Sequence, residues 1–496
     1  MPESLLLHID GKDVPASDGG TLTVSNPFTG QPLFTAAHAT PADVDAAVAA
    51  ANKSYRDGRW AGLSGRDRAV ILSRAARLLA ERIDELAELE VAQTGRPLRE
   101  MRAQLRRLPE WFEYFGALAQ TAEGSLPAFS PNHINLVRRR PLGVAGLITP
   151  WNHPLLITMK KLSAALAAGN SVVVKPSELA PAAPLRLAAL LEEAGVPAGV
   201  VNMITGLGAT TGRALSEHRG LHRLDVTGGT ETGRAVAAAA GRNLIPVSAE
   251  LGGKAPVIVL GDANLDQAVA GALFASFIAT GQTCVQGSKV LVQENIAAEF
   301  QDRFLARVAD LRLGDPLDPA TQVGPLISQA QRERVAGAVD RALAQGARVL
   351  HGGQVPSDLP NGWFYEPTVV ADVTPQMDIW REEVFGPVSV FDTFTDDAQV
   401  IDKANDCPFG LAASIWTSDT SRALRMVDKL DIGIVWVNDH HRVDPASPWG
   451  GTKDSGVGTE NGRDSYLSYT RPHSTIVSIS DQPFDWYATT AELRYS

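Results

Sequence analysis

Cysteine is almost missing: Cys284 and Cys407 are the only two in 496 residues. Two thiols with no CxxC pair exclude a disulfide framework and a zinc or redox motif, and they fit a reducing cytoplasm. Positive charge is also short. Lys and Arg total 45 against 56 Asp and Glu, a net charge of -11, the wrong sign for a surface that neutralises nucleic-acid phosphates. Long apolar runs are absent, and the opening MPESLLLHID has no basic segment followed by an apolar one. Neither a membrane span nor export is expected. What is present is ample core material: 44% hydrophobic residues and 20% charged ones describe a folded globular protein, and the length suggests about three domains. No internal repeat or low-complexity tract interrupts it.

The first 35 residues read as strand, turn and strand around Asp10-Gly11 and Asp18-Gly19-Gly20. Thr40 before Pro41 is a helix start, Ile71 to Leu86 carries helical spacing, and a third helix is expected over 97–122. From Val144 short buried strands (144–148, 172–174, 200–204, 223–226, 245–247) alternate with Ala- and Leu-rich helices, which predicts a parallel α/β sheet. A second α/β stretch begins near Pro256, with strands at 257–260 and 289–292 and helices near 265–279 and 296–311. Gly252-Gly253 marks the boundary.

Gly206, Gly208 and Gly212 follow a predicted strand, but as GxGxxxG; the spacing reads equally as a helix-capping turn or a phosphate cradle. A second turn, VTGGTETG at 226–233, leads Gly228, Gly229 and Thr230 into another helix N-terminus able to bind an anion. Cys284 follows an apolar helix in GQTC. A lone cysteine is commonly just a small buried hydrophobe, and it becomes a candidate nucleophile only in company. Glu250 lies in an apolar, glycine-rich SAELGGK segment, and Asn152 stands between prolines in PWNHP, an amide able to donate to an oxyanion.

Together ITPWNHP (148–154), VVVKPSE (172–178), VTGGTETG (226–233), ELGGK (250–254), GQTC (281–284), EEVFGP (382–387) and SPWGG (447–451) resemble the NAD(P)-dependent aldehyde dehydrogenase superfamily, over nearly the whole chain and in the family's order. The resemblance implies an α/β fold: a Rossmann-like NAD-binding domain (1–122 and 140–252), a second α/β catalytic domain (253–453) and a small β oligomerisation arm (123–139 and 470–496). It implies Cys284 as nucleophile, Asn152 in the oxyanion hole, Glu250 as the base that activates water, and Glu460 as a second acid on the proton path. The presence of Glu250 favours release of a free acid over transfer to coenzyme A. A CoA-acylating enzyme, or a non-catalytic member of the fold, is the alternative. Lys175 and Glu178 match residues at the adenosine ribose, Glu383 and Phe385 those at the nicotinamide, with Trp151, Gly212, Gly228, Gly229 and Thr230 around the same cofactor. Glu178 would repel a 2′-phosphate, which favours NAD. Gly229 departs from the serine the family often carries there, so a hydroxyl contact is missing.

The substrate residues follow less directly. Lys160 matches the position of an arginine in members acting on succinate-type semialdehydes, and His153, His441, Arg442 and Trp449 lie in stretches that line the family's tunnel. They suggest a polar, carboxylate-bearing aldehyde, or an aromatic one against Trp449; equally, Lys160 points to solvent and Asp439 to Arg442 form an outer loop. His440 and His441 would face apart on a strand, and no metal is expected. The expected partner is a second copy of the chain, as homodimer or homotetramer, in which Ile134, Leu136, Val137, Ile476 and Val477 supply strand formers.

Overall fold

A computed structural model describes residues 4–481 and 487; most of the expected arm beyond 481 lies outside the described residues. Two large sheets organise it. The first has eight strands, ordered Gly456–Val457, Val247–Glu250, Arg223–Thr227, Val144–Ile148, Ser171–Lys175, Val201–Met203, Leu7–Ile9 and Lys12–Val14. The five strands between residues 144 and 250 are parallel, as alternating buried strands and helices require. The chain runs from Val144–Ile148 outward on one side, then returns to place Arg223–Thr227 on the other. That reversal opens a crevice at the carboxyl ends of these two strands, the position where open α/β sheets bind ligands.

The second sheet has seven strands, ordered Arg348–His351, Thr368–Ala371, Val388–Phe394, Gly287–Gln293, Ala255–Val259, Ala412–Trp416 and Ile434–Val437. The chain leaves the first sheet at Glu250 and enters the second at Ala255, so the carboxyl edge of one sheet meets the amino edge of the other. Chemistry-bearing loops of both converge there. A separate ribbon pairs His133–Pro141 antiparallel with Thr470–Ser478.

Three expected boundaries move, two of them at prolines. The helix expected over 97–122 is two, Leu98–Leu105 and Pro109–Gln120, because Pro109 has no N–H to continue the first and starts the second. The helical spacing of 71–86 spans a break at Arg82, between Gly65–Glu81 and Ile83–Thr94. The strand expected at 245–247 is Val247–Glu250: Leu244 caps the preceding helix in a left-handed conformation (φ 55°) and Pro246 lacks a ladder donor. Gly208–Gly212 folds as a π-helical turn into the short helix Arg213–Glu217.

Candidate active site

Cys284 sits just before the strand Gly287–Gln293, at the end of a turn with an uncommon backbone. Ala279, Thr280 and Gly281 all have positive φ (54°, 56° and 70°), a strain that the surroundings must hold. They do so with hydrogen bonds. The Gln286 amide donates to the carbonyls of Ser276 (3.0 Å), Gly386 (2.7 Å) and Val388 (3.1 Å), Thr280 donates to Gly324 O at 3.1 Å, and Gln282 Oε1 accepts from Ile327 N at 3.0 Å. Gly281 admits no side chain, since a Cβ there would lie 2.0 Å from Gly386 O. The Cys284 thiol is partly buried. Burial pushes it up to about 12, with Lys160 pulling in the opposite direction.

Asn152 and His153 bridge from the first sheet to this turn. The strand Val144–Ile148 ends beside the crevice, and Asn152 Nδ2 donates to Gln282 O at 2.9 Å. His153 Nε2 meets Thr283 Oγ1 at 3.2 Å, while Nδ1 faces Arg96 (2.8 Å) and Gln104 (3.0 Å). Burial and then the Arg96 charge hold the imidazole well below its usual value, so it is neutral. His153, expected at the substrate, thus contacts the turn through Thr283 and meets the His441 ring edge to face at 5.8 Å.

Glu250 ends its strand and is only 4% exposed. Neither carboxyl oxygen has a hydrogen-bond partner among the described residues. Burial, reinforced by the nearby Glu460 charge, raises it well above the carboxylate range, against the pull of Lys160 and Lys161. Glu460 behaves oppositely. Burial would raise it too, but it lies between two ammonium groups, Lys160 at 2.6 Å and Lys161, and is held far below its usual value. Glu460, expected on the proton path, is an ion-paired carboxylate fixed by a two-bond backbone bridge to Trp449 (2.7 and 2.8 Å). Lys161 reaches on to Asp225 at 2.5 Å, which also accepts from Tyr469 at 2.6 Å and faces Arg223 at 3.5 Å. Sequence reasoning missed Asp225, Arg223 and Tyr469; two lysines in an otherwise apolar helix were the available signal.

Lys160 does not point to solvent. It is buried, and its ammonium stands 4.4 Å from the centroid of the Trp449 ring. His441 is left-handed (φ 58°) and packs 6.4 Å from the same ring. Burial first, then the neighbouring His440, drops His441 to about 3. His440 turns the other way, its Nε2 on Val285 O at 2.8 Å. Arg442 is exposed and paired with Asp439 at 3.0 Å; it lies not beside Cys284 but on the rim of an outer cavity of about 660 Å³, floored by Leu156, Leu273, Phe274 and Phe277.

Of the residues expected at a cofactor, Lys175, Gly212, Gly228, Gly229 and Thr230 lie at or after the carboxyl ends of strands of the first sheet, and Glu383 and Phe385 precede Val388–Phe394 of the second. Lys175 ends its strand buried, its ammonium on Pro176 O (2.9 Å) and Glu178 Oε2 (3.4 Å); Gly212 faces its stem, with a Cβ there 3.6 Å from Lys175 Cδ. Gly228 and Gly229 precede the helix Thr230–Asn243, whose N-terminus has no side-chain cap, and a Cβ at Gly229 would meet nothing within 4 Å. Glu383 accepts from Gly253 N at 2.9 Å, and burial raises it to about 7. Phe385 is left-handed (φ 58°) and meets Trp151 edge to face at 5.3 Å.

A crevice at a sheet's switch point, with a partly buried thiol, an amide and a buried carboxyl where the two sheets meet, is the layout of a cofactor-dependent enzyme. The aldehyde dehydrogenase family model matches residues 14–475, and the chain belongs to that family. It is 38% identical to the betaine aldehyde dehydrogenase of Bacillus subtilis (strain 168), covering 98% of this chain and 99% of that one. Among solved structures, the betaine aldehyde dehydrogenase of Staphylococcus aureus in complex with NAD+ superposes with a TM-score of 0.96 at 35% identity, covering 98% and 96% of the two chains. PnpE from Pseudomonas sp. WBC-3, in complex with nicotinamide adenine dinucleotide, does so at 0.95 and 41% identity, covering 97% and 99%.

Proposed function

We propose that the chain oxidises an aldehyde to its carboxylic acid with NAD+ as acceptor, through a covalent adduct on Cys284. The observation that carries this reading is the convergence of Cys284, Asn152 and the unpaired Glu250 carboxyl where the two sheets meet. The crevice residues suit a dinucleotide: an open, uncapped helix N-terminus at Gly229 for a pyrophosphate, and a Lys175–Glu178 pair for ribose hydroxyls. The acidic Glu178 disfavours a 2′-phosphate. NAD+, when bound, accepts the hydride from the carbon attached to Cys284.

The rest of the chemistry belongs to the chain's own side chains. The thiol rests protonated, so as its sulfur bonds to the carbonyl carbon the S–H proton passes to solvent water and the carbonyl oxygen takes the electron pair as an oxyanion. The resulting oxyanion is met by the Asn152 N–H not given to Gln282 and by the Cys284 N–H, which makes no bond among the described residues. After oxidation a thioester remains on Cys284. Glu250 removes a proton from water as that water adds to the thioester, and the thiol leaves with the proton returned. Its raised carboxyl suits the task, and the cations of Lys160 and Lys161 keep the ionised form within reach.

The apolar floor and arginine rim of the outer cavity support a carboxylate-bearing or aromatic aldehyde. The exposed Ile134, Leu136, Ile476 and Val477 on the two-stranded ribbon support assembly into a homo-oligomer through that ribbon. Two unpaired thiols support a cytoplasmic setting; among the described residues no helix is long and apolar enough to cross a membrane. The test is NADH formation with aliphatic, aromatic and carboxylate-bearing aldehydes, run beside NADP+, added coenzyme A and a Cys284→Ala variant. NAD+-linked activity that vanishes in the variant and yields free acid is expected. Activity surviving the variant, or an acyl-CoA product, would overturn the reading.

A further inference from the structure

We infer that Lys160 is a specificity-determining residue that closes the aromatic face of Trp449 to positively charged aldehydes. The inference rests on the aldehyde oxidation proposed above and adds its charge selectivity. Trp449 shares one apolar cluster with Cys284, Val285 and Trp436, so its ring borders the space in which an aldehyde must approach the thiol. A quaternary ammonium group has no N–H to donate and is recognised by aromatic faces and by carboxylates. Here the Trp449 face and the Glu460 carboxylate are both taken. The Lys160 ammonium stands 4.4 Å from the ring centroid, and Glu460, bridged through its backbone to Trp449, is held by Lys160 at 2.6 Å and by Lys161.

Lys160 cannot swing away to make room. It sits on the helix Pro154–Ala167, every residue of which is buried, and its ammonium is pinned between the Glu460 carboxylate and the Trp449 ring. The outer cavity repeats the same sign. Arg99, Arg107, Arg307 and Arg442 line it, while its two acids, Glu100 and Asp439, are engaged by Arg96 and Arg442. Arg107 and Arg442 are themselves paired with acids, which leaves Arg99 and Arg307 as the cavity's repulsive charges and the Lys160 ammonium as the one against the Trp449 ring. This separates the chain from the two betaine aldehyde dehydrogenases it resembles, whose named substrate carries a trimethylammonium group.

The test compares two aldehydes of one shape: betaine aldehyde and 3,3-dimethylbutanal, in which carbon replaces the charged nitrogen. Intrinsic reactivity cancels when the ratio of their kcat/KM values is compared between proteins. In Lys160→Met the neutral-over-cationic ratio is expected to fall at least about tenfold, mostly through KM for the cation, and in Lys160→Arg to stay within about twofold. Should Lys160→Met not fold, wild-type enzyme decides alone: 3,3-dimethylbutan-1-ol is expected to inhibit at concentrations at least about tenfold below choline. An unmoved ratio in Lys160→Met, or choline binding as well as the neutral alcohol, overturns the inference while leaving aldehyde oxidation standing. Absence of NADH from both aldehydes in the wild type overturns the functional reading and this one with it.

Discussion

Replacing Glu250 by Gln separates the two halves of the proposed reaction. The substitution keeps shape and burial and removes only the ability to take a proton. Neither carboxyl oxygen has a hydrogen-bond partner among the described residues, so no hydrogen bond seen there is broken and the Cys284 turn is undisturbed. Acylation of Cys284 relies on Asn152 and backbone, and is expected to proceed. Thioester hydrolysis loses its general base, a contribution of about 10²–10⁴ in rate, or about 2.7–5.4 kcal/mol of barrier. Stopped-flow NADH measurement should then show a burst approaching one equivalent per Cys284, followed by a steady state depressed by that factor. Wild-type hydrolysis should also rise with pH well past the ordinary carboxylate range: the base acts ionised, and its carboxyl is shifted upward. A variant with no burst, or with an unaltered steady state, would refute Glu250 as the hydrolytic base.

Other perturbations address the supports of the site. Lys161→Met strands Asp225 and part of Glu460 in a fully buried place, a loss of about 3–5 kcal/mol that lowers the thermal midpoint by about 6–10 °C at about 2 °C per kcal/mol; differential scanning calorimetry reads it. Asn152→Ala removes one oxyanion donor and should cut kcat about 10²–10³-fold with the fold intact by circular dichroism. Gly281→Ala drives a methyl against Gly386 O, and should slow iodoacetamide labelling of Cys284 or abolish activity while the distant ribbon keeps its protection from hydrogen exchange.

Much of this was legible in the chain. Alternation of buried strands with helices is a local pattern, so the parallel sheet could be read from residues 144 to 250, and turn glycines marked the crevice. The reversal of strand order, which places that crevice, is a long-range fact. The Lys161 cluster shows why the rest was hidden: its partners lie 64 and 299 residues away, and a charged pair in an apolar helix reads equally as solvated or buried. Ala279 and Thr280 carry no signal of a left-handed backbone, because tertiary hydrogen bonds rather than residue type impose it. Pro109 and Pro246, by contrast, stood in plain view, and their missing N–H groups account for two of the shifted boundaries.

The central claim is a covalent acyl group on Cys284, and intact-mass spectrometry tests it most directly. Glu250→Gln, mixed with aldehyde and NAD+ and quenched in acid within the burst, should gain the mass of one acyl group, located by peptide mapping to Cys284 and released by hydroxylamine. A protein of unchanged mass despite NADH formation, or an acyl group on any other residue, would contradict the account.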